Sequence, residues 1–398
     1  MAYTLTQETL LLDLHAAYQC AKMKKAGKPY VRVFEANLEQ NLRRLAADLI
    51  NRRYQPEPSS CFIIERPKKR EVFAAQFRDR VVHHLYYNYT HELFERSFIQ
   101  DTYSCIPGRG THYGIERLKQ HIRHESMGYQ RDCWVMSLDI RGYFMHIDRQ
   151  VLLKMATDSL QRMAAHRVSA NSRQTWNDVL DMDFLLWLTR EIILVDPKHH
   201  CKKAGSPKEW EGLDPDKSLF NTREGCGLPI GNLTSQLFSN VYLNALDQYV
   251  KRTLQCKHYG RYVDDAYVVS HDRQWLKSLV PQIRQFLNNT LHLDLHMGKL
   301  QIVNARHGVE FLGAFVKPHT TYISTEALRR MTEAVENIDT GDKEATRRSV
   351  NSFLGVLSHY NSFNIRCELF FRPEFLRIGT FDRNMTKYAI SFYSPFKQ

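Results

Sequence analysis

The stretch HYGRYVDDAYVVS, residues 258–270, sets two adjacent aspartates, Asp264 and Asp265, between tyrosines and valines that read as β-strand. Two uses fit such a pair: a tight turn, which Asp favours, or carboxylates raised on a rigid hairpin to hold divalent cations. A third carboxylate, Asp139, closes the strand-like run DCWVMSLD. If the two strands are neighbours, Asp139 and Asp264 lie side by side although they are far apart in sequence. Two cations about 3.5–4 Å apart, bridged by such carboxylates, activate an attacking hydroxyl and stabilise the leaving oxygen of an in-line phosphoryl displacement. Asp139, Asp264, Asp265 and the backbone carbonyl of Ile140 are the candidate ligands. Mg²⁺ is the natural ion for an all-oxygen site, with Mn²⁺ as the alternative. A triphosphate substrate also needs cations, and RPKKR (Arg66, Lys68, Lys69, Arg70) followed by RDR (Arg78, Asp79, Arg80) can supply them. A basic run of this kind also serves as a plain solvated turn.

The elements that must position these groups can be read coarsely. Residues 6–53 carry apolar positions at helical spacing (Leu10, Leu14, Ala17; Leu38, Leu42, Leu45, Leu49) around a basic loop. CFIIERPKKREVFAA reads as two strands about a basic turn, and QFRDRVVHHLYYNYTHELF as a helix. GLPIGNLTSQLFSNVYLNALDQYVKRTL begins in a turn and continues as a long helix with one apolar face. Residues 196–226, rich in Lys, Pro, Gly and Asp, predict an exposed insertion loop. From Ser324 onward the chain reads as mainly helical and basic. Together these predict an α+β fold, an antiparallel sheet layered on helices. The expected domains are a helical extension over 1–58, a core over 59–323 holding the 196–226 insertion, and a helical unit over 324–398.

The chain has 398 residues with a formal net charge of +12, so it is drawn to polyanions, nucleic acid first and an anionic membrane surface second. Its eight cysteines are scattered without C-x-x-C spacing, which argues against a zinc ribbon or a disulfide framework and for reduced thiols. Neither a secretory leader nor an apolar run of spanning length is present, so the expectation is a cytoplasmic protein with no membrane partner.

Seven blocks then carry a family resemblance. RPKKREVFAAQFRDRVV, FERSFIQDTYSCIPGRGTHYGI, SLDIRGYF, GLPIGNLTSQLFSNVYLNALD, RYVDD, LHLDLHMGKLQI and VEFLGAFV, in that order across residues 60–320, resemble the sequence blocks of reverse transcriptases. The tail NSFLGVLSHYNSFN resembles the thumb that follows them. The resemblance implies a right-hand polymerase fold of fingers, palm and helical thumb, and RNA-directed DNA synthesis from deoxynucleoside triphosphates. It implies Asp139 and Asp264 as metal ligands, Asp265 as the third carboxylate, and Lys68 and Arg70 on the nucleotide phosphates. Phe144 takes the steric-gate position, where an aromatic ring excludes a 2′-hydroxyl. Lys299 lies near the triphosphate, and Phe311, Leu312 and Gly313 form the primer grip.

One block departs from the family pattern. Most members carry Gln-Gly-x-x-x-Ser-Pro where this chain has IGNLTSQ, so Ile230 and Gln236 flank the retained Gly231 in place of Gln and Pro. Isoleucine cannot make the hydrogen bonds by which Gln braces the templating pair, and loosened base selection is the expected consequence. This variant resembles the reverse transcriptases of diversity-generating retroelements. Their partners are a template RNA, primer or cDNA, and a small basic accessory protein. Reverse transcriptases of anti-phage defence systems share the same core blocks, and there the 196–226 insertion would seat a dedicated noncoding RNA. A non-catalytic RNA-binding scaffold has no need for Asp139, Asp264, Asp265, Arg70 and Phe144 together.

Overall fold

A computed structural model of the chain describes residues 3–66 and 68–391. The amino-terminal helices are α1 (Gln7–Lys22), α2 (Pro29–Glu35) and α3 (Leu38–Ile50). Their apolar stripes, Leu10, Leu14 and Ala17 with Leu42, Leu45 and Leu49, are buried in the same core as the helix α4. The strands β1 (Ser59–Ile64) and β2 (Arg70–Ala74) form the predicted hairpin, and α4 (Phe77–Glu95) and α5 (Thr111–Glu125) follow.

β3 (Trp134–Leu138) ends one residue before Asp139, and α6 (Tyr143–His146), α7 (Arg149–Ala164) and α8 (Met182–Ile193) come next. Within 196–226 lies β4 (Cys201–Lys203), which pairs parallel with β1 and gives the sheet order β2-β1-β4. The expectation of an exposed loop there is corrected. Lysines 202, 203 and 208 are exposed, but Ser218, Leu219 and Cys226 are buried, and Leu219 packs with Cys61, Phe73 and Met145. Trp210, Leu219 and Phe220 are spaced irregularly among turn formers, so no helical or strand period announces the anchor.

α9 (Leu233–Gln248) buries Leu237, Phe238, Val241, Leu243 and Leu246, the face read from the sequence. The central sheet has the order β5-β6-β3-β7, built from β5 (His258–Tyr262), β6 (Asp265–Ser270), β3 and β7 (Gln301–Asn304), with α10 (Arg273–Phe286) between β6 and β7. All its pairings are antiparallel. β8 (Val309–Phe311), β9 (Ala314–Lys317) and β10 (Thr320–Ile323) form a meander.

The carboxyl-terminal region holds α11 (Thr325–Glu336), α12 (Lys343–Leu357), α13 (Phe363–Phe370) and α14 (Pro373–Leu376). It then closes with a hairpin of β11 (Gly379–Phe381) and β12 (Tyr388–Ile390), an element that the mainly helical expectation for this region did not specify. Tyr388 is buried there, and its hydroxyl donates to the Phe375 carbonyl at 2.6 Å, tying the hairpin to the helices. Residues 392–398, part of the expected helical unit, lie outside the described residues.

Candidate active site

The register of the central sheet answers why two aspartates stand in a strand. Leu138 of β3 pairs with Ala266 of β6, so continuing one step sets Asp139 opposite Asp265. β5 and β6 join through two residues, Val263 and Asp264, with Tyr262 paired to Asp265. The turn and the carboxylate site are therefore one structure. Asp139, Asp264 and Asp265 all line a cleft of about 1030 Å³, together with Ile140, Phe144, Ile230, Gly231, Gln236, Lys299, Arg70 and Leu312.

Charge crowding in this cleft is evident. The Asp264 carboxyl is pushed above the usual range by burial and then by the neighbouring Asp139 charge, with Lys299 and Arg70 opposing the rise. Asp265 is pushed up to about 7 by burial, then by Asp264 and Asp139, while Lys299 and Lys68 pull it down. Asp265 also faces open solvent, so water screens part of that rise. Lys299 Nζ lies 2.6 Å from Asp139 Oδ2. These are hard oxygen donors with mutual repulsion that a divalent cation would relieve, and the set fits Mg²⁺.

The backbone on the Asp139 side is fixed by a bridge between Ile140 and Leu295, flanked by His296 N–H donating to the Asp139 carbonyl at 2.8 Å and Arg141 N–H to the Asp294 carbonyl at 3.0 Å. Phe144 is half-buried at the cleft wall, and its carbonyl accepts from Leu228 N–H at 2.9 Å. Ile230 packs beside the Cys61–Phe73–Met145–Leu219 cluster, and its carbonyl accepts from Phe73 N–H at 2.8 Å. Gly231 sits at φ +120°, and a Cβ there would lie 3.0 Å from Val72 Cγ1 and 3.1 Å from the Phe73 carbonyl oxygen. This block therefore locks β2, and with it Arg70, against the floor of the cleft. Gln236 is exposed, and its Oε1 accepts from the Cys105 thiol at 3.4 Å.

Two parts of the expected set behave differently. Phe311 is buried edge-on against Tyr267, with ring centroids 5.0 Å apart, so within Phe311–Gly313 the residue facing the cleft is Leu312. Gly313, at φ +79°, serves the backbone turn, and its carbonyl accepts from Ser324 N–H at 2.8 Å. The RDR run does not offer cations to the cleft as a unit. Arg78 pairs with Asp48 at 3.0 Å and stacks on Tyr54, while Asp79 is buried and accepts from the Tyr54 hydroxyl at 2.9 Å. Their job is to seat the amino-terminal helices on α4. From RPKKR, Arg70 lines the cleft, Lys68 is exposed and acts on Asp265 through its field, and Lys69 donates to the Glu211 carbonyl at 2.7 Å.

Several residues that position the site escaped the sequence reading. Val263 at φ 55° occupies a left-handed conformation unfavourable for a β-branched residue. Two bonds hold it: its N–H donates to Ser104 Oγ at 3.1 Å, and Arg261 Nη1 donates to its carbonyl at 2.8 Å. Arg261 is fully buried against Asp247 of α9, with Nε–Oδ1 2.7 Å and Nη2–Oδ2 2.6 Å. The signal was an arginine inside a strand and an aspartate on the apolar face of a helix, each implausible unless paired. Glu71, also fully buried, accepts from Trp210 Nε1 (2.8 Å), Ser218 Oγ (3.1 Å) and Leu219 N–H (2.7 Å), and so binds the 196–226 segment to the strand that carries Arg70. From the same segment, Asp216 accepts from Arg141 Nη2 at 2.7 Å at the cleft edge.

Comparison with known proteins bears on the family of the chain. A family profile described as "Reverse transcriptase (RNA-dependent DNA polymerase)" matches residues 66–316. Protein YkfC of Escherichia coli (strain K12) is 25% identical over 315 residues, covering 71% of this chain and 72% of that protein. Among solved structures, telomerase from Candida albicans, in complex with a TWJ fragment of telomeric RNA, aligns at 12% identity and TM-score 0.45 over 79% of this chain. Apo telomerase from Candida tropicalis aligns at 10% identity and TM-score 0.45 over the same share. The chain spans 56% and 60% of the lengths of those two telomerase chains. With most of its length matched by the family profile, the chain belongs to the reverse transcriptase family, and residues 66–316 are an RNA-directed DNA polymerase domain, a nucleotidyltransferase.

Proposed function

We propose that the protein copies a dedicated RNA template into cDNA by two-metal nucleotidyl transfer, error-prone, within a diversity-generating retroelement. The observation that carries the chemistry is the convergence of Asp139, Asp264 and Asp265 with Arg70, Lys299 and Phe144 in one cleft. Asp139 and Asp264, with Asp265 and the Ile140 carbonyl, would hold Mg²⁺ or Mn²⁺. When bound, the ions lower the pKa of the primer 3′-hydroxyl and neutralise charge on the leaving pyrophosphate. Arg70 and Lys68 would orient the triphosphate, Phe144 would exclude a 2′-hydroxyl from beneath the sugar, and Lys299 would donate a proton to pyrophosphate. Leu312 meets the primer strand. In this reading residues 59–323 are fingers and palm, 324–398 the thumb and 1–58 a helical extension.

Ile230 supports the error-prone assignment, because its side chain packs beside an apolar cluster and offers no hydrogen bond to the templating pair. A small basic accessory protein would act beside the template RNA. The second reading, a defence-system enzyme using a dedicated noncoding RNA, is supported by the exposed Lys202, Lys203 and Lys208 on the folded 196–226 segment. Sequencing the RNA and cDNA that copurify with the protein separates the two: a template repeat matching a variable gene favours the first, a repetitive or untemplated product the second. For the chemistry itself, Asp264→Ala with Asp265→Ala is expected to abolish Mg²⁺-dependent DNA synthesis while RNA binding persists. Retained synthesis would sink the metal-site assignment.

A further inference from the structure

At the far end of the carboxylate hairpin from the cleft, three side chains with metal-binding atoms converge. His124 and Glu125 lie in the last turn of α5, and His258 is the first residue of β5. His124 Nδ1 is 3.1 Å from His258 Nε2, which is 3.4 Å from Glu125 Oε2. One donor atom from each of the three lies within 4.8 Å of the others. Glu125 Oε1 is engaged elsewhere: it accepts from His271 N–H at 3.0 Å, contacts His271 Nδ1, and lies 3.3 Å from Arg131 Nη2. Oε2 is therefore the oxygen turned toward the two imidazoles.

Two imidazole nitrogens on one tetrahedral zinc, each at about 2.0–2.1 Å, stand about 3.3 Å apart, close to the spacing seen here. Two of the three ligands, His124 and Glu125, come from the carboxyl-terminal turn of a 15-residue helix, where the carbonyl dipoles favour positive charge. The hold of His271 on the remote carboxylate oxygen is the kind of outer contact that orients a ligating group. Two nitrogens and one oxygen suit zinc, whereas the all-oxygen cleft suits magnesium.

We propose that His124, Glu125 and His258 form a second, non-catalytic metal site of the zinc class. It pins the base of the carboxylate hairpin to α5. His258 pairs with Val269, and His271 follows the end of β6, so both hairpin strands emerge from this point. Asp264 lies six positions along from His258, most of them in β5, about 15–20 Å at the strand rise, so the site is distinct from the cleft.

The test is zinc titration of the chelator-stripped full chain against a chromophoric competitor, with bound metal counted after gel filtration. Because the cleft carboxylates also bind divalent cations, the titration is run in an Asp139→Asn, Asp264→Asn background. One retained zinc per chain is expected, with a raised thermal midpoint and a tetrahedral cobalt(II) absorption on substitution. His124 is exposed, so His124→Ala leaves the core intact; it is expected to lose the retained zinc and the cobalt band. His271→Ala is expected to weaken binding by about 10–100-fold. If no zinc is retained, or if His124→Ala retains it undiminished, the proposal is overturned.

Discussion

The buried pair Arg261–Asp247 gives the sharpest test of how the fold holds the carboxylate hairpin. Both side chains are fully buried, and Asp247 also accepts from the Tyr259 hydroxyl at 2.7 Å and Thr102 Oγ1 at 3.1 Å. Asp247→Ala leaves the guanidinium uncompensated in the core, a loss of about 3–5 kcal/mol against a total stability of about 5–15 kcal/mol. Removing both charges together, as Asp247→Leu with Arg261→Met and Tyr259→Phe, should bring stability back to within about 1–2 kcal/mol of the parent. Activity should not return with it. The Val263 carbonyl has lost its donor, and the left-handed turn stores about 1–3 kcal/mol that Arg261 no longer restrains. Since each 1.36 kcal/mol of lost positioning is about tenfold in rate, single-turnover incorporation should fall by about tenfold or more in the triple variant. Urea unfolding reads the first quantity, and rapid-quench extension of a primed RNA reads the second. A triple variant as stable and as fast as the parent would refute the positioning role and leave the pair as structural support.

Three further outcomes are expected. Ile230→Gln should reduce misincorporation, measured by sequencing cDNA copied from a defined template, while costing about 1–2 kcal/mol for an amide placed against the Phe73–Leu219 cluster; an unchanged error spectrum counts against the fidelity argument. Gly231→Ala should depress activity and stability together, because at φ +120° the added methyl is strained and must displace Val72 or the Phe73 carbonyl; wild-type extension kinetics would contradict this. His83 is buried and its imidazole is held down to about 3 by desolvation. The unfolded chain therefore gains the proton first, so this term is undiminished above about 6.5 and erodes toward 3 by up to about 1.4 kcal/mol per pH unit. Chemical denaturation across that range should show a shallower acid limb in His83→Gln, and an identical limb would contradict the assignment.

Much of the site was legible because its local signals are strong. A strand with a charge pair at its tip, a strand closing on Asp139 and a helix with one apolar face are each encoded within a few residues. The 196–226 segment was misread because its anchor is a buried carboxylate, Glu71, met by Trp210, Ser218 and Leu219 from about 140–150 residues away, and no periodicity reports such a contact. The Phe311–Gly313 block was legible as a motif, yet which residue faces the cleft depended on Tyr267 filling the space behind Phe311.

The sequence by itself determined the reaction class, because its ordered blocks are those of the family whose profile matches residues 66–316, and it nominated Asp139, Asp264 and Asp265 as the carboxylates proposed to serve it. It also located the anomaly at Ile230. Tertiary structure alone decided what keeps the carboxylates in place. Arg261 and Asp247 lie 14 positions apart on two different elements, β5 and α9, and each would be untenable in the core without the other. Only folding shows that they meet beneath the Val263 turn, because a buried charge is defined by its partner and the partner by the packing.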